Sequence, residues 1–279
     1  MKILITGING QVGSALVRQA NEQGHEVVAL SREQWDMAQA PEQGEQLVLE
    51  VKPDLVINPA AYTNVDGAED DEATALKVNA DAPRALAKGC KQIDIPILHV
   101  STDYVFDGTK EVPYVEMDQT NPINAYGRTK LAGEIAVQEE TDKCIILRTS
   151  WVFSKDGKNF VNTILRLAKE RDELKVVSDQ FGGPTSADCI AGVLLKLATE
   201  HKEHWGIYHY SGQPFMSWYA FAKKIIEQAV KDGLLIKAPE IMPCSSDEFP
   251  VNAKRPKNSQ LSSKKIASSF GLSVCDWTQ

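Results

Sequence analysis

Tyr126 and Lys130 stand four residues apart in the run NAYGRTKLAGE. On a helix that spacing places both side chains on one face, one turn from each other. A phenol titrates near pH 10 and releases its proton reluctantly. An ammonium beside it favours the phenolate, so the tyrosine becomes able to pass a proton near neutral pH. The pair by itself also suits an ordinary helix surface, so its company matters. Upstream, an apolar run ends in Ser101-Thr102-Asp103, and hydroxyls at the carboxyl ends of strands in open α/β sheets face the ligand crevice. Read alone, Thr102 fits a strand-end cap equally well. Together, Thr102, Tyr126 and Lys130 form a candidate catalytic triad: a hydroxyl to orient a substrate oxygen, a phenol to move a proton, and an ammonium to tune it.

Such a triad needs a scaffold, and the first half of the chain supplies its pattern. Ile3-Leu4-Ile5, Val27 to Leu30, Leu55-Val56-Ile57, Ile95 to Val100 and Cys144 to Leu147 are apolar, mostly β-branched and too short for helices. Amphipathic stretches separate them, among them Gln11 to Gln23 and Ala73 to Gln92. This alternation predicts an α/β protein with a Rossmann-type, doubly wound parallel sheet. After Thr149 the rhythm loosens into predicted helices over Asn159 to Arg171, Ser186 to Glu200 and Ser217 to Lys231, with the turn Gly182-Gly183-Pro184 among the breaks. Prolines at 239, 243, 250 and 256 exclude long regular elements between Lys237 and Asn258. The expected division is a nucleotide domain over 1–150, joined by about 186–205, and a smaller mixed α/β substrate-binding domain over 151–279.

The nucleotide end is marked by Gly7, Gly10 and Gly13, which bracket Asn9, Gln11 and Val12 in a G-x-x-G-x-x-G turn after the first strand. Glycines there allow a tight turn and let the backbone approach a pyrophosphate at a helix N-terminus. A plain strand–helix turn is the alternative. At the end of the second strand, where NAD binders place an acidic residue, the chain has Ser31-Arg32. A hydroxyl and a guanidinium suit a 2′-phosphate, which favours NADPH, with NADH as a second candidate. Arg32 also reads as a solvated surface charge. Asp36 and Met37 are placed to flank an adenine. Ala60, Ala61, Tyr62 and Thr63 follow the third strand and offer small residues for close approach to a dinucleotide.

Composition narrows the partners. Of 279 residues, 43% are hydrophobic, and no apolar run is long enough to span a bilayer. A net charge of −8 argues against nucleic acid or an acidic membrane surface as partner. Cys90, Cys144, Cys189, Cys244 and Cys275 are scattered without a Cys-x-x-Cys, which reads as free thiols in a reducing cytoplasm. The pair His201 and His204, beside Lys202 and Glu203, reads as a solvated helix end, so no metal site is expected.

With these residues in view, the strings NPAAYTNVDGAE, STDYVFDG, NPINAYGRTKLAGE, RTSWVF, DQFGGPT and RPKNSQL resemble the extended short-chain dehydrogenase/reductases, and among them the dTDP-4-dehydrorhamnose reductase family. The resemblance covers nearly the whole chain. It implies reduction of the C4 ketone of a dTDP-4-dehydro-sugar, with Tyr126 donating the proton and Lys130 also holding the nicotinamide ribose. It implies sugar contacts from Thr102, Asp103 and Trp151. The residues themselves offer Lys254, Arg255 and Lys257 as local cations, Arg255 being able to fork onto a phosphate; solvated charge is the other reading. Phe215, Trp218 and Tyr219 suit either a nucleotide pocket or core. Some family members are dimers bridged by magnesium through an acidic residue two positions past the last glycine; Ala15 stands there, which favours a monomer. The sequence closes at Asp276 to Gln279, before the terminal helix that the resemblance implies. Two rivals share the fold: a sugar-nucleotide dehydratase or epimerase, and a non-catalytic NADP-binding regulatory subunit. Dehydratases follow the Thr-Asp step with Glu, whereas Tyr104 follows Asp103 here.

Overall fold

The five apolar runs of the first half form strands β1 (Lys2–Thr6), β2 (Glu26–Leu30), β3 (Leu55–Asn58), β4 (Ile97–Thr102) and β5 (Cys144–Thr149). The computed structural model describes residues 1–201 and 204–278; Lys202, Glu203 and Gln279 lie outside the described residues. Shorter strands follow: β6 (Val152–Phe153), β7 (Glu173–Val177), β8 (Phe181–Gly182), β9 (Thr185–Ser186), β10 (Gly206–His209), β11 (Met216–Ser217) and β12 (Glu240–Cys244). The helices are α1 (Gln11–Glu22), α2 (Gln43–Val51), α3 (Val65–Asp70), α4 (Glu72–Leu76), α5 (Ala82–Gln92), α6 (Ala125–Glu140), α7 (Phe160–Glu170), α8 (Ala187–Glu200), α9 (Trp218–Lys231) and α10 (Lys264–Phe270).

The main sheet is parallel throughout, in the order β10-β5-β4-β3-β1-β2. Its central strands β3 and β5 are buried along their whole length, as helices on both faces require. One face packs Ile3, Ile5, Leu98 and Leu147 against α1 and α8. The other packs Leu4, Val56, Ile97 and Ile146 against α2 and α5. Each such side chain contributes about 1.5–3 kcal/mol by leaving water, so the sheet is the rigid part of the molecule. Because β1 lies between β2 and β3, the winding direction reverses there, and the crevice outside the carboxyl ends of β1 and β3 is the natural ligand site. A second core gathers Ile164, Leu174, Phe221 and Ile226 from α7, β7 and α9, with two-stranded pairings around it.

Two expectations need correction. Ala73 to Gln92 is not one helix: a π-helical turn, Lys77–Asp81, separates α4 from α5. The turn aims buried Asn79 at the chain after β3, where it bonds the Tyr62 N–H (2.8 Å) and the Tyr62 carbonyl (3.2 Å), and at α6, where it bonds the Thr129 hydroxyl (3.0 Å). Residue periodicity does not reveal such an inserted turn. The proline-rich tail keeps to short elements as expected, the longest being five-residue β12 with Pro243 inside it, paired with β7; a proline is tolerated where one side of a strand has no partner to bond. The cysteines are not all free. Cys189 and Cys275 form a disulfide across a separation of 86 residues, with Cα atoms 6.2 Å apart, while Cys90, Cys144 and Cys244 are buried thiols. The fold brings the C-terminal segment back onto α8, which scattered spacing could not reveal.

Candidate active site

A cleft of about 1340 Å³ runs along the carboxyl ends of β1, β3, β4 and β5. At one end, the Gly7 to Gly13 turn opens α1. Gly7 takes a left-handed conformation (φ +59°), and a side chain on Gly13 would strike the Gly7 carbonyl at 2.2 Å, so this turn admits only glycine at both places. Its N-cap, Gly10, offers no side-chain cap, and the first turn of α1 carries no acidic residue. The amide groups there are left for an anionic ligand, and the site fits a dinucleotide pyrophosphate. Asn9 and Val12 line the same wall. The Gln11 side chain is used differently: its Oε1 accepts from the Ser154 hydroxyl (2.8 Å) and from Asn159 Nδ2 (2.9 Å), tying the turn to the 154–159 loop.

Ser31, Arg32, Asp36 and Met37 line the cleft beyond β2. Arg32 is largely solvent-exposed and pairs with Asp36, Nε to Oδ2 at 3.2 Å. A backbone N–H from Ala38, with Arg32 helping, holds the Asp36 carboxyl below the usual range. Ala60, Ala61, Tyr62 and Thr63 line the opposite wall after β3, fixed by Asn79.

Thr102, Asp103, Tyr126 and Lys130 meet at the centre. Asn124 caps α6, its side chain accepting from the Gly127 N–H (2.8 Å), so the helix starts just before Tyr126 and directs it at the end of β4. Thr102 donates to Asp103 Oδ1 (2.9 Å). Lys130 is buried, and its ammonium donates to the Val100 carbonyl (2.7 Å) and lies 3.3 Å from His99 Nε2. Here a further expectation fails. Burial pushes the Tyr126 phenol up to about 12; the Thr102 hydroxyl pulls it down and the Asp103 charge adds to the rise. The ammonium does not lower it, because Lys130 is tied to β4. Burial in turn brings Lys130 down to about 8, opposed by Glu134. Glu134, one turn further along α6, forks onto Arg148 of β5 (2.6 and 2.9 Å) and accepts from the Ser101 hydroxyl. Removing one partner of such a buried pair costs about 3–5 kcal/mol, so α6 is held in register with β4 and β5.

Burial also pushes Asp103 up to about 7, against the hydroxyls of Ser259 and Thr102. Its Oδ2 and the Thr149 hydroxyl are the two buried side-chain oxygens without a partner among the described residues, and both residues line the cleft. Thr149 pairs in register with Thr102; being at the end of the next strand was the available signal for it, and sequence reading passed over it. The far wall is aromatic. Trp151, held at φ +45°, stacks on Trp218 with ring centroids 3.3 Å apart, and Gly182 leaves room for its indole. Phe215 and Tyr219 do not line the cleft, nor does Arg255. The Arg255 guanidinium forks onto Asp66 of α3 (2.6 and 3.0 Å) instead of standing free for a phosphate. Lys155 and Lys158, which sequence reading missed, line the cleft from the loop that Gln11 holds.

A family model described as RmlD substrate binding domain matches residues 1–279. A dTDP-4-dehydrorhamnose reductase of Burkholderia thailandensis is 46% identical over 99% of this chain and 95% of its own length. One from Escherichia coli K12 is 38% identical over 99% and 94%. The chain belongs to the dTDP-4-dehydrorhamnose reductase family. Solved structures agree: the Clostridium acetobutylicum reductase superposes with a TM-score of 0.92 at 39% identity, covering 100% of this chain and 96% of that one. The Bacillus anthracis reductase, solved in complex with NADP, gives 0.92 at 36% identity over 99% and 95%.

Proposed function

We propose that this protein reduces the C4 ketone of dTDP-4-dehydro-L-rhamnose to dTDP-L-rhamnose, the last step in making that nucleotide sugar, with NADPH as reductant and NADH as a weaker substitute. The observation that carries the reading is the convergence of the Gly7–Gly13 turn, Thr102, Tyr126 and Lys130 on one cleft. NADPH, when bound along the glycine turn, supplies a hydride to C4. Tyr126 gives its phenolic proton to the C4 oxygen. An alkoxide is a far stronger base than a phenolate, so a phenol held near 12 still donates downhill. Thr102 orients that oxygen and its hydroxyl steadies the phenolate left behind, and the Lys130 ammonium holds the nicotinamide ribose. Ser31 and Arg32 take the 2′-phosphate, and Lys155 and Lys158 offset pyrophosphate charge. The unpartnered oxygens of Asp103 and Thr149 receive sugar hydroxyls, with Trp151 and Trp218 forming the wall behind them.

In this reading residues 1–150, with α8 and β10, form the cofactor unit, and most of 151–279 the substrate unit. The protein works as a monomer, since Ala15 cannot ligate a bridging metal, and it acts in the cytoplasm beside its diffusible cofactor and substrate. No helix among the described residues is long and apolar enough to cross a membrane. Incubation with dTDP-4-dehydrorhamnose and NADPH tests the proposal. Loss of nicotinamide absorbance with formation of dTDP-L-rhamnose is expected. Tight NADPH binding without consumption points to a regulatory subunit, and a product made without net NADPH oxidation points to an epimerase or dehydratase.

A further inference from the structure

A buried polar chain crosses the middle of the main sheet and ends on Lys130. Thr6 Oγ1 of β1 is 2.6 Å from Asn58 Oδ1, Asn58 Nδ2 of β3 is 3.0 Å from His99 Nδ1, and His99 Nε2 of β4 is 3.3 Å from Lys130 Nζ. Asn58 and His99 are register partners. Thr6, Asn58 and His99 are fully buried. Polar side chains buried in a sheet carry a desolvation cost that an apolar set would avoid, and this set ends on the Lys130 ammonium.

We infer that His99 is a positioning residue for Lys130: its imidazole, braced by Asn58 and Thr6, fixes the ammonium at the end of β4 and sets how firmly it keeps its proton. The inference rests on the reading of Tyr126 and Lys130 given above. Burial, with the lysine charge adding to it, holds the imidazole well below its ordinary pKa, so the ring is neutral and has one lone pair. Facing an ammonium, that lone pair lies on Nε2 and the ring proton on Nδ1, where the Asn58 amide oxygen receives it once the carboxamide turns. With Asn58 Nδ2 toward Nδ1, the ring proton moves to Nε2 and suits a lysine that has lost its proton. Each contact thus has a donor and an acceptor in both forms, and lysine protonation is coupled to the imidazole tautomer.

The other groups facing Lys130 are few. Along α6 they are Tyr126 and Glu134, the latter neutralised by Arg148 of β5. Asp103 acts from beyond β4 on the Tyr126 phenol. From β1 and β3 come only neutral Thr6 and Asn58, and from the π turn neutral Asn79, which bonds Thr129.

The test compares the full-length parent with His99→Leu and His99→Gln. Carbon-13 NMR of lysine Cε, with Lys130→Arg as the assignment control, follows Lys130 from pH 6 to 10, alongside the pH profile of NADPH-dependent reduction. Removing the Nε2 acceptor weakens the ammonium. The His99→Leu midpoint is expected to fall by at least about 0.5 pH unit, with the alkaline limb of kcat/KM moving the same way and activity at pH 8 dropping about tenfold. His99→Gln, whose amide oxygen accepts, is expected to restore most of the shift. Should His99→Leu fail to fold, Asn58→Ala carries the same expectation. Superimposable Lys130 titrations in parent and folded variant overturn the inference. A parent that consumes no NADPH while its Lys130 midpoint still follows His99 removes the proposed reaction and leaves this inference standing.

Discussion

The two ends of the cleft are built from different materials. The end proposed for the cofactor is largely backbone: a glycine turn and an uncapped helix terminus, seated on strands buried on both faces. The end proposed for the substrate is made of side chains that hang from two-stranded pairings and loops, with Trp151 at φ +45° and its neighbour Trp218 stacked upon it. The first kind of site is complete before a ligand arrives. The second has groups already engaged with each other, as Thr102 is with Asp103. In the proposed reaction, rigid backbone-made recognition would serve the part common to every turnover, and adjustable side-chain recognition the part that sets which sugar is accepted.

Substitutions at the two ends and between them separate these roles. The largest effect is expected at the junction: Tyr126→Phe removes the proton donor and lowers kcat at least about 100-fold. Its NADPH dissociation constant, measured by fluorescence titration, stays within about threefold, because the turn and α1 terminus are untouched. Near-normal kcat would take Tyr126 out of the mechanism. At the substrate end, Trp218→Ala removes the partner that stacks Trp151. The KM for the nucleotide sugar is expected to rise about thirtyfold, near 2 kcal/mol, with NADPH affinity unchanged. A parallel loss of both affinities would mean that the ends are not independent.

The same difference governs what the sequence discloses. The strand runs, the glycine turn and the Tyr126–Lys130 spacing are local patterns enforced by burial periodicity and backbone sterics, and each lands in the cleft. The π turn before Pro83, the Cys189–Cys275 disulfide and the Arg255–Asp66 pair depend on distant segments meeting. No local pattern encodes them. Lys130 shows the limit most sharply. Its position on the helix was legible, yet its ammonium bonds Val100 and lies beside His99, and burial raises the phenol.

Asp103 sits where the two ends meet, and its burial has a cost that pH exposes. The unfolded chain titrates this carboxyl near 3.9, and the folded protein near 7. Between those values the folded state keeps a proton that the unfolded state has lost. The residue's contribution to stability therefore falls as pH rises from about 4 to about 7 and stays low above, by roughly 4 kcal/mol. Asp103→Asn carries no charge to bury. Its thermal midpoint is expected to exceed the parent's by at least about 5 °C at pH 8 and to approach it at pH 4. A constant difference across that range would place the Asp103 titration elsewhere.

The smallest effect is expected at Arg32, and it bears most directly on whether the cofactor end is purely a backbone site. The Arg32 side chain is 78% exposed and shares its charge with Asp36. A surface pair of this kind contributes at most about 1 kcal/mol to stability, so Arg32→Ala should leave the thermal midpoint in place. Its guanidinium meets a 2′-phosphate in water, where screening is strong, so NADPH binding is expected to weaken only about fivefold while NADH binding holds within twofold. Asp36→Asn should act the other way, freeing Arg32 and tightening NADPH, and raised salt should erase both changes. Equal losses for the two dinucleotides in Arg32→Ala would show that the turn and α1 terminus carry all of the recognition, and that the side chains beyond β2 do not choose between them.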